Sequence, residues 1–167
     1  MSRISVLVVN LNNLGFTKDC INDLLMQDCE FNLTVVDQNS TEEGTKEYFS
    51  KLPSNINFIQ SGNNTPLNWL WNWFVAKSET PYVCLLNNDV RISPNFLSSA
   101  IEVLEKEPNV GFVNHVTNNK EYQQGFVEKE LYVWDNNDWT KVKFASGYPH
   151  NLEKDHKKPR FIISKNR

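Results

Sequence analysis

The sequence predicts an α/β protein with a doubly wound, mostly parallel sheet, and three observations carry that prediction. Short apolar runs alternate with segments of helical periodicity through about residue 116. The runs show little of the in–out alternation of a half-exposed strand, so they belong in a sheet covered on both faces. Several of them end in amides and acids, as expected where a parallel sheet presents its carboxyl ends to a ligand.

Ile4-Ser5-Val6-Leu7-Val8-Val9 reads as the first strand, followed by an amide-rich turn from Asn10 to Gly15. Thr17 is read as the cap of a helix that turns Ile21, Leu24 and Leu25 inward. Leu33-Thr34-Val35-Val36 is the second strand and runs into Asp37-Gln38-Asn39-Ser40-Thr41. Ser40 or Thr41 is expected to cap the next helix, with Tyr48 and Phe49 facing the core. Ile56 to Ile59 forms a third strand. Thr65-Pro66 then marks a helix start, a hydroxyl followed by proline at the first helical position. That helix carries Trp69, Trp71, Trp73 and Phe74, which cannot all face one way, so most belong to core or interface.

Tyr82-Val83-Cys84-Leu85-Leu86 is the fourth strand and enters Asn87-Asn88-Asp89-Val90. Ser93-Pro94 opens a helix with Phe96, Leu97, Ile101 and Leu104 as its buried stripe, and Gly111-Phe112-Val113 continues the sheet. Beyond it, Leu131 to Trp134 and Val142 to Ala145 alternate about Asp135-Asn136-Asn137-Asp138, the pattern of a C-terminal β-hairpin. Residues 1–148 are read as one domain and 149–167 as a basic C-terminal tail, with Phe161-Ile162-Ile163 as an edge strand.

With 167 residues the chain is long enough for one well-buried core. A net charge of -3 argues against a general nucleic-acid binder, which needs lysines and arginines to neutralise phosphate. The charge is uneven: residues 153–167 hold six of the 17 basic side chains. The plain reading of that tail is a solvated end, and the alternative is attraction to an anionic membrane face. Cys20, Cys29 and Cys84 show no CxxC spacing and fit a reducing compartment. No apolar run approaches the roughly 20 residues of a membrane span, and no signal-peptide core precedes the first strand. A cytoplasmic location is expected.

Three polar loops, Asn10 to Asn13, Asp37 to Thr41 and Asn87 to Asp89, leave the carboxyl ends of strands that a doubly wound sheet brings to one crevice. Asp37, Gln38 and Asn39 offer amide and carboxylate groups that match the imide, carbonyl and hydroxyl groups of a nucleoside. Asp89 offers a hard oxygen ligand for Mg²⁺ or Mn²⁺ held against a diphosphate. Neither GxxxxGK[ST] nor GxGxxG occurs, so phosphate binding would rest on a cation rather than a glycine-rich cradle.

Three segments in this order carry a family resemblance: Ser5 to Asn13, Val35-Val36-Asp37-Gln38-Asn39-Ser40-Thr41, and Leu85-Leu86-Asn87-Asn88-Asp89-Val90. Together they resemble family-2 glycosyltransferases of the GT-A fold, nearest the branch of rhamnosyl- and galactofuranosyltransferases. The likeness covers roughly residues 4–116, and Lys143 to Gly147 looks like the "xSG" segment of that branch. It implies a metal-dependent, inverting transfer of sugar from a nucleoside diphosphate sugar, UDP- or dTDP-linked, to a glycan, lipid-linked or other hydroxyl acceptor. It also implies that Val9, Asn10 and Leu11 flank the nucleobase, that Asp37 and Gln38 contact base or ribose, and that Asn87 stands at the ribose. Asn88 belongs to the same loop, and Asp89 is the implied ligand of Mn²⁺ or Mg²⁺.

The chain departs from the family pattern at three places. Leu11 replaces an aromatic residue. The helix after the third strand has tryptophans where the family has small residues and an arginine, leaving Asn68 and Asn72 to reach the donor. The acidic motif that supplies the general base would follow residue 167, which marks a short or truncated member. Asp155 is the candidate base, with Glu153 and His156 beside it, and His156 is also a candidate metal or diphosphate contact. The alternative is an inactive nucleotide-sugar-binding module of a larger assembly.

Overall fold

The computed structural model describes residues 2–107, 109–114, 130–135, 138–143, 145–146 and 161–164, with side chains through Val113. The first half is a strict alternation: β1 (Ile4–Asn10), α1 (Leu14–Leu25), β2 (Asn32–Asp37), α2 (Thr45–Ser50), β3 (Asn57–Gln60), α3 (Leu67–Lys77), β4 (Tyr82–Asn87), α4 (Phe96–Lys106) and β5 (Phe112–Asn114). The remaining strands are β6 (Glu130–Asp135), β7 (Asp138–Lys143), β8 (Ala145–Ser146) and β9 (Phe161–Ser164). The main sheet has the order β3-β2-β1-β4-β9-β5-β8. Its first four strands are parallel, as the doubly wound reading expects. β9 runs antiparallel to both β4 and β5. Phe161–Ser164 is thus an inner strand, where the sequence suggested an edge. β6 and β7 pair antiparallel as a separate ribbon.

Apolar residues on alternate sides of the strands build two cores. Ile4, Val6 and Val8 of β1 join Val35, Cys84 and Leu86 beneath α1, α2 and α4. Leu7 and Val9 join Val36, Val83 and Leu85 beneath Leu70 and Phe74 of α3. A right-handed β–α–β connection requires this split, because the chain moves outward from β1 to β3 and then crosses back to β4. α4 lies on the α1 side, tied to it where Leu97 N–H donates to Gln27 Oε1 (3.0 Å) and Asp28 N–H donates to the Pro94 carbonyl (2.9 Å). Leu24 is fully buried in the larger core. Leu24→Ala is expected to cost about 2–5 kcal/mol, read as a lower denaturant midpoint at unchanged slope.

The helix starts differ from the sequence reading for one shared reason. Helix α1 begins at Leu14, so Thr17 lies inside it and is fully buried. Helix α2 begins at Thr45 after Gly44 (φ 81°), well past Ser40 and Thr41. The Thr17 and Ser40 hydroxyls instead bond across loops, and Thr41 enters through its backbone N–H, which donates to Asn12 Oδ1. Glu42 supplies the missing cap, accepting a 2.8 Å hydrogen bond from Leu14 N–H, a carboxylate at the positive end of α1. Asn12 and Asn13 both take left-handed backbone (φ 57°), a conformation asparagine tolerates better than other residues with a Cβ. Pro66 sits just outside α3 rather than at its first position. Among the described residues, no helix is long and apolar enough to cross a membrane.

Candidate functional site

The strand order reverses between β1 and β4, and in open α/β sheets ligands collect at that switch point, beyond the carboxyl ends. In register, Asn10 of β1 lies opposite Asp37 of β2, and Val9 lies opposite Asn87 of β4. Asn10 is completely buried and joins the two neighbouring tips. Its amide nitrogen donates to Asp37 Oδ1 (2.6 Å) and Ser40 Oγ (2.9 Å). Its carbonyl oxygen accepts from Thr17 Oγ1 (2.5 Å) and Asn88 Nδ2 (3.1 Å). Asp37 and Asn88 are therefore connected through one side chain, and Asp89 follows directly. Asn10 thus ties together the loops that the sequence expected to lie side by side.

Asp37 is a buried anion, 2% exposed, without a cationic partner in its hydrogen-bond set. Four donors surround it. Oδ1 accepts from Asn10 Nδ2 and from the Ser40 hydroxyl, while Oδ2 accepts from Ser40 N–H (3.1 Å) and Gln60 Nε2 (2.8 Å). Burial alone would raise the carboxyl pKa, but the bonds from Ser40, Asn10 and Gln60 outweigh it and hold it below the ordinary value. The main chain is tied in as well: Gln38 N–H donates to the Asn10 carbonyl and Ser61 N–H to the Asp37 carbonyl, both 2.8 Å. Asn12 continues the lattice. Its N–H donates to Ser40 Oγ (2.7 Å), and its Oδ1 accepts from Thr41 N–H (2.9 Å).

Gln38 differs from its neighbours. It is buried, and its Oε1 receives no hydrogen bond from the described residues. An unfilled buried acceptor costs about 1–3 kcal/mol, so a ligand N–H or O–H reaching it would recover that cost. Asn88 shows the opposite arrangement: its Nδ2 donates to Asn10 Oδ1, the Asn12 carbonyl (3.3 Å) and Thr17 Oγ1 (2.9 Å).

The remaining candidates spread around this centre. Val9 packs in the smaller core, whereas Leu11 is exposed at the tip of β1. Asn87 and Asp89 are half-buried, and Asn68 and Asn72 are exposed on α3. Asn68 Oδ1 accepts from Trp69 N–H, and neither asparagine bonds to the strand-tip network. Trp69 is exposed, while Trp71 and Trp73 pack against the smaller core. Asp155, Glu153 and His156 lie outside the described residues.

Among the described residues, no three acidic, histidine or cysteine side chains converge on a metal position. Asp89 with the neighbouring asparagine oxygens is a hard, oxygen-only donor set, and Mg²⁺ or Mn²⁺ on a nucleotide takes few protein ligands and completes its shell with phosphate and water. The residues fit such an ion. Thr17 and Gln60 escaped the sequence reading as members of this site, and Asn12 entered it only as part of the Asn10 to Asn13 loop. Only Thr17 left a trace, a hydroxyl one helical turn inside the amide-rich loop and therefore under Asn10.

The model of the family described as glycosyl transferase family 2 matches residues 5–158, and the chain belongs to that family. Among solved structures, it is similar to Staphylococcus aureus TarS 1-349 in complex with UDP-GlcNAc, with TM-score 0.62 and 21% identity over 77% of this chain and 38% of that one. A second is the mannosyltransferase PcManGT from Pyrobaculum calidifontis in complex with GDP-Man and Mn²⁺, with TM-score 0.60 and 19% identity over 69% and 35%. These likenesses establish the GT-A fold. The chain spans 39% of the length of TarS 1-349 in its uncomplexed structure. No curated protein sequence matches.

Proposed function

We propose that this chain is the donor-binding domain of a metal-dependent, inverting glycosyltransferase that moves a sugar from a UDP- or dTDP-linked donor to an acceptor hydroxyl. The observation that carries the proposal is the junction of three strand tips through Asn10, with an unfilled buried acceptor at Gln38 on one side and Asp89 on the other. The two solved relatives in complex with a nucleotide sugar, one of them with Mn²⁺, support it. The rhamnosyl- and galactofuranosyltransferase branch, and a cytoplasmic location given the cysteine usage, belong to the same proposal.

In this reading Gln38 Oε1 takes the imide N–H of the base, and Val9, Asn10 and Leu11 line its edge. The Gln60 amide yields its bond to Asp37 Oδ2 to a ribose hydroxyl, since Gln60 is the exposed member of the four donors. Asn87 faces the ribose, Asn68 and Asn72 approach the sugar, and Asn88 steadies the loop. Asp89 would hold Mn²⁺ or Mg²⁺ against the diphosphate, and His156 is the second proposed contact of that group. A bound cation would neutralise charge on the departing nucleoside diphosphate. Asp155 is the proposed base that takes the acceptor proton. The second reading, a module that binds but does not transfer, is favoured by the engagement of the two carboxylates at and just beyond the end of β2. Asp37 is filled by four donors and Glu42 accepts from Leu14 N–H.

Titration with UDP-, dTDP- and GDP-sugars, with Mn²⁺ and with EDTA, tests the proposal, followed by chromatography for released nucleotide. Manganese-dependent binding with turnover supports a transferase; binding without turnover supports the module; no binding of any member contradicts both. Gln38→Leu gives a second, opposed pair of effects. It should weaken uracil or thymine nucleotide binding about tenfold while leaving the ligand-free fold as stable or slightly more so, because an orphaned acceptor is removed. Unchanged affinity would take Gln38 out of the site.

A further inference from the structure

The loop that carries Asp89 is held on both sides by a single helix. Upstream, Thr17 of α1, fully buried, accepts from Asn88 Nδ2 (2.9 Å) and donates to Asn10 Oδ1 (2.5 Å). One turn further along, Cys20 Sγ lies 3.6 Å from the Asn87 carbonyl. Downstream, Asp23 grips Arg91 with both oxygens, accepting from Nε (2.7 Å) and Nη2 (2.9 Å), and also accepts from Ile92 N–H (3.0 Å). Positions 17, 20 and 23 are three apart, which places them along one side of the helix. They meet residues 88, 87 and 91–92, which bracket Asp89.

We propose that α1 is a splint for the cation site, with Thr17 and Asp23 as positioning residues that act through Asn88 and through Arg91–Ile92. Neither touches the ligand. Two clamps of different chemistry, one a buried hydroxyl and one a partly exposed bidentate ion pair, fix the loop's ends so that Asp89 is presented at one place. A carboxylate free to sample several positions would bind the same ion more weakly, since residues behind metal ligands typically matter 10–100-fold in metal affinity. The inference rests on Asp89 being the cation ligand.

The experiment compares the affinity of the native chain for UDP, dTDP and GDP in Mn²⁺ and in EDTA, by tryptophan fluorescence; the ratio of the two affinities is the readout. Thr17→Val and Asp23→Asn are each expected to reduce that ratio about tenfold. Thr17→Ser should restore it, because the hydroxyl returns. A purely structural role would shift the melting temperature and both affinities together, leaving the ratio intact. If Asp89→Ala abolishes the manganese effect while Thr17→Val and Asp23→Asn preserve it, the splint is wrong and the cation ligand stands. If Asp89→Ala preserves it, or the native chain shows none, the cation reading itself falls and the splint with it. Should Thr17→Val not fold, Asp23→Asn decides the matter, since its side chain is partly exposed on α1.

Discussion

Asp37→Ala is expected to lower the free energy of unfolding by roughly 3–5 kcal/mol. The substitution strands the Asn10 amide, the Ser40 hydroxyl and the Ser40 N–H, each aimed at a carboxylate that is gone. Buried donors left unsatisfied cost about 1–3 kcal/mol apiece, and the fourth donor, Gln60, is exposed enough to turn to water. Equilibrium urea unfolding measures the loss. A cost below about 1 kcal/mol would mean that the network is not closed around Asp37 in solution. The same carboxylate sets a pH dependence. Its folded pKa lies below the ordinary value, so the folded state favours the ionised form. The stability it contributes is fully present above the unfolded carboxylate pKa of about 3.9 and is lost as pH falls through the lower folded pKa. Native chain and Asp37→Asn should therefore differ most in stability near neutral pH and converge in acid.

Asp89→Ala is expected to remove the manganese-dependent part of nucleotide binding, a loss of about 100-fold or about 2.7 kcal/mol. Affinity in EDTA should change little, because the proposed base and ribose contacts, Gln38, Gln60 and Asn87, do not include Asp89. Asp89 is half-buried in a loop, so the stability cost should stay near 1 kcal/mol. Isothermal titration with Mn²⁺ and with EDTA separates the two effects. Equal losses in both conditions would assign Asp89 to general loop structure rather than to the cation.

The fold was legible because its strongest signal, unbroken apolar strands between helical segments, is a direct consequence of burial on both faces of a sheet. Val6, Val8, Val35 and Leu86 satisfy one core while Leu7, Val9, Val36 and Leu85 satisfy the other, so no polar alternation was left to read. The candidate site was legible in part. Asp37, Asn88 and Asp89 stood at strand ends, where chemistry collects whatever the loops do. The connecting role of Asn10 and the saturation of Asp37 were not legible, because hydrogen-bond partners 27 and 78 residues away leave no local pattern. Thr17 and Ser40 were misread for the same reason. A hydroxyl near a helix start looks like a cap in sequence, and only tertiary structure shows Thr17 beneath Asn10 and Ser40 between Asn10, Asn12 and Asp37. Proline placed α3 to within one residue because its effect is local.

The central claim is that the tips of β1, β2 and β4 form one pocket in which Asp89 holds a divalent ion against a diphosphate. Anomalous scattering from crystals grown with manganese and UDP measures this directly. A manganese peak is expected within about 2.5 Å of an Asp89 carboxylate oxygen and of the diphosphate, with the base beside Gln38. Nucleotide bound elsewhere on the molecule, or manganese on the diphosphate with Asp89 turned away from it, would contradict the account.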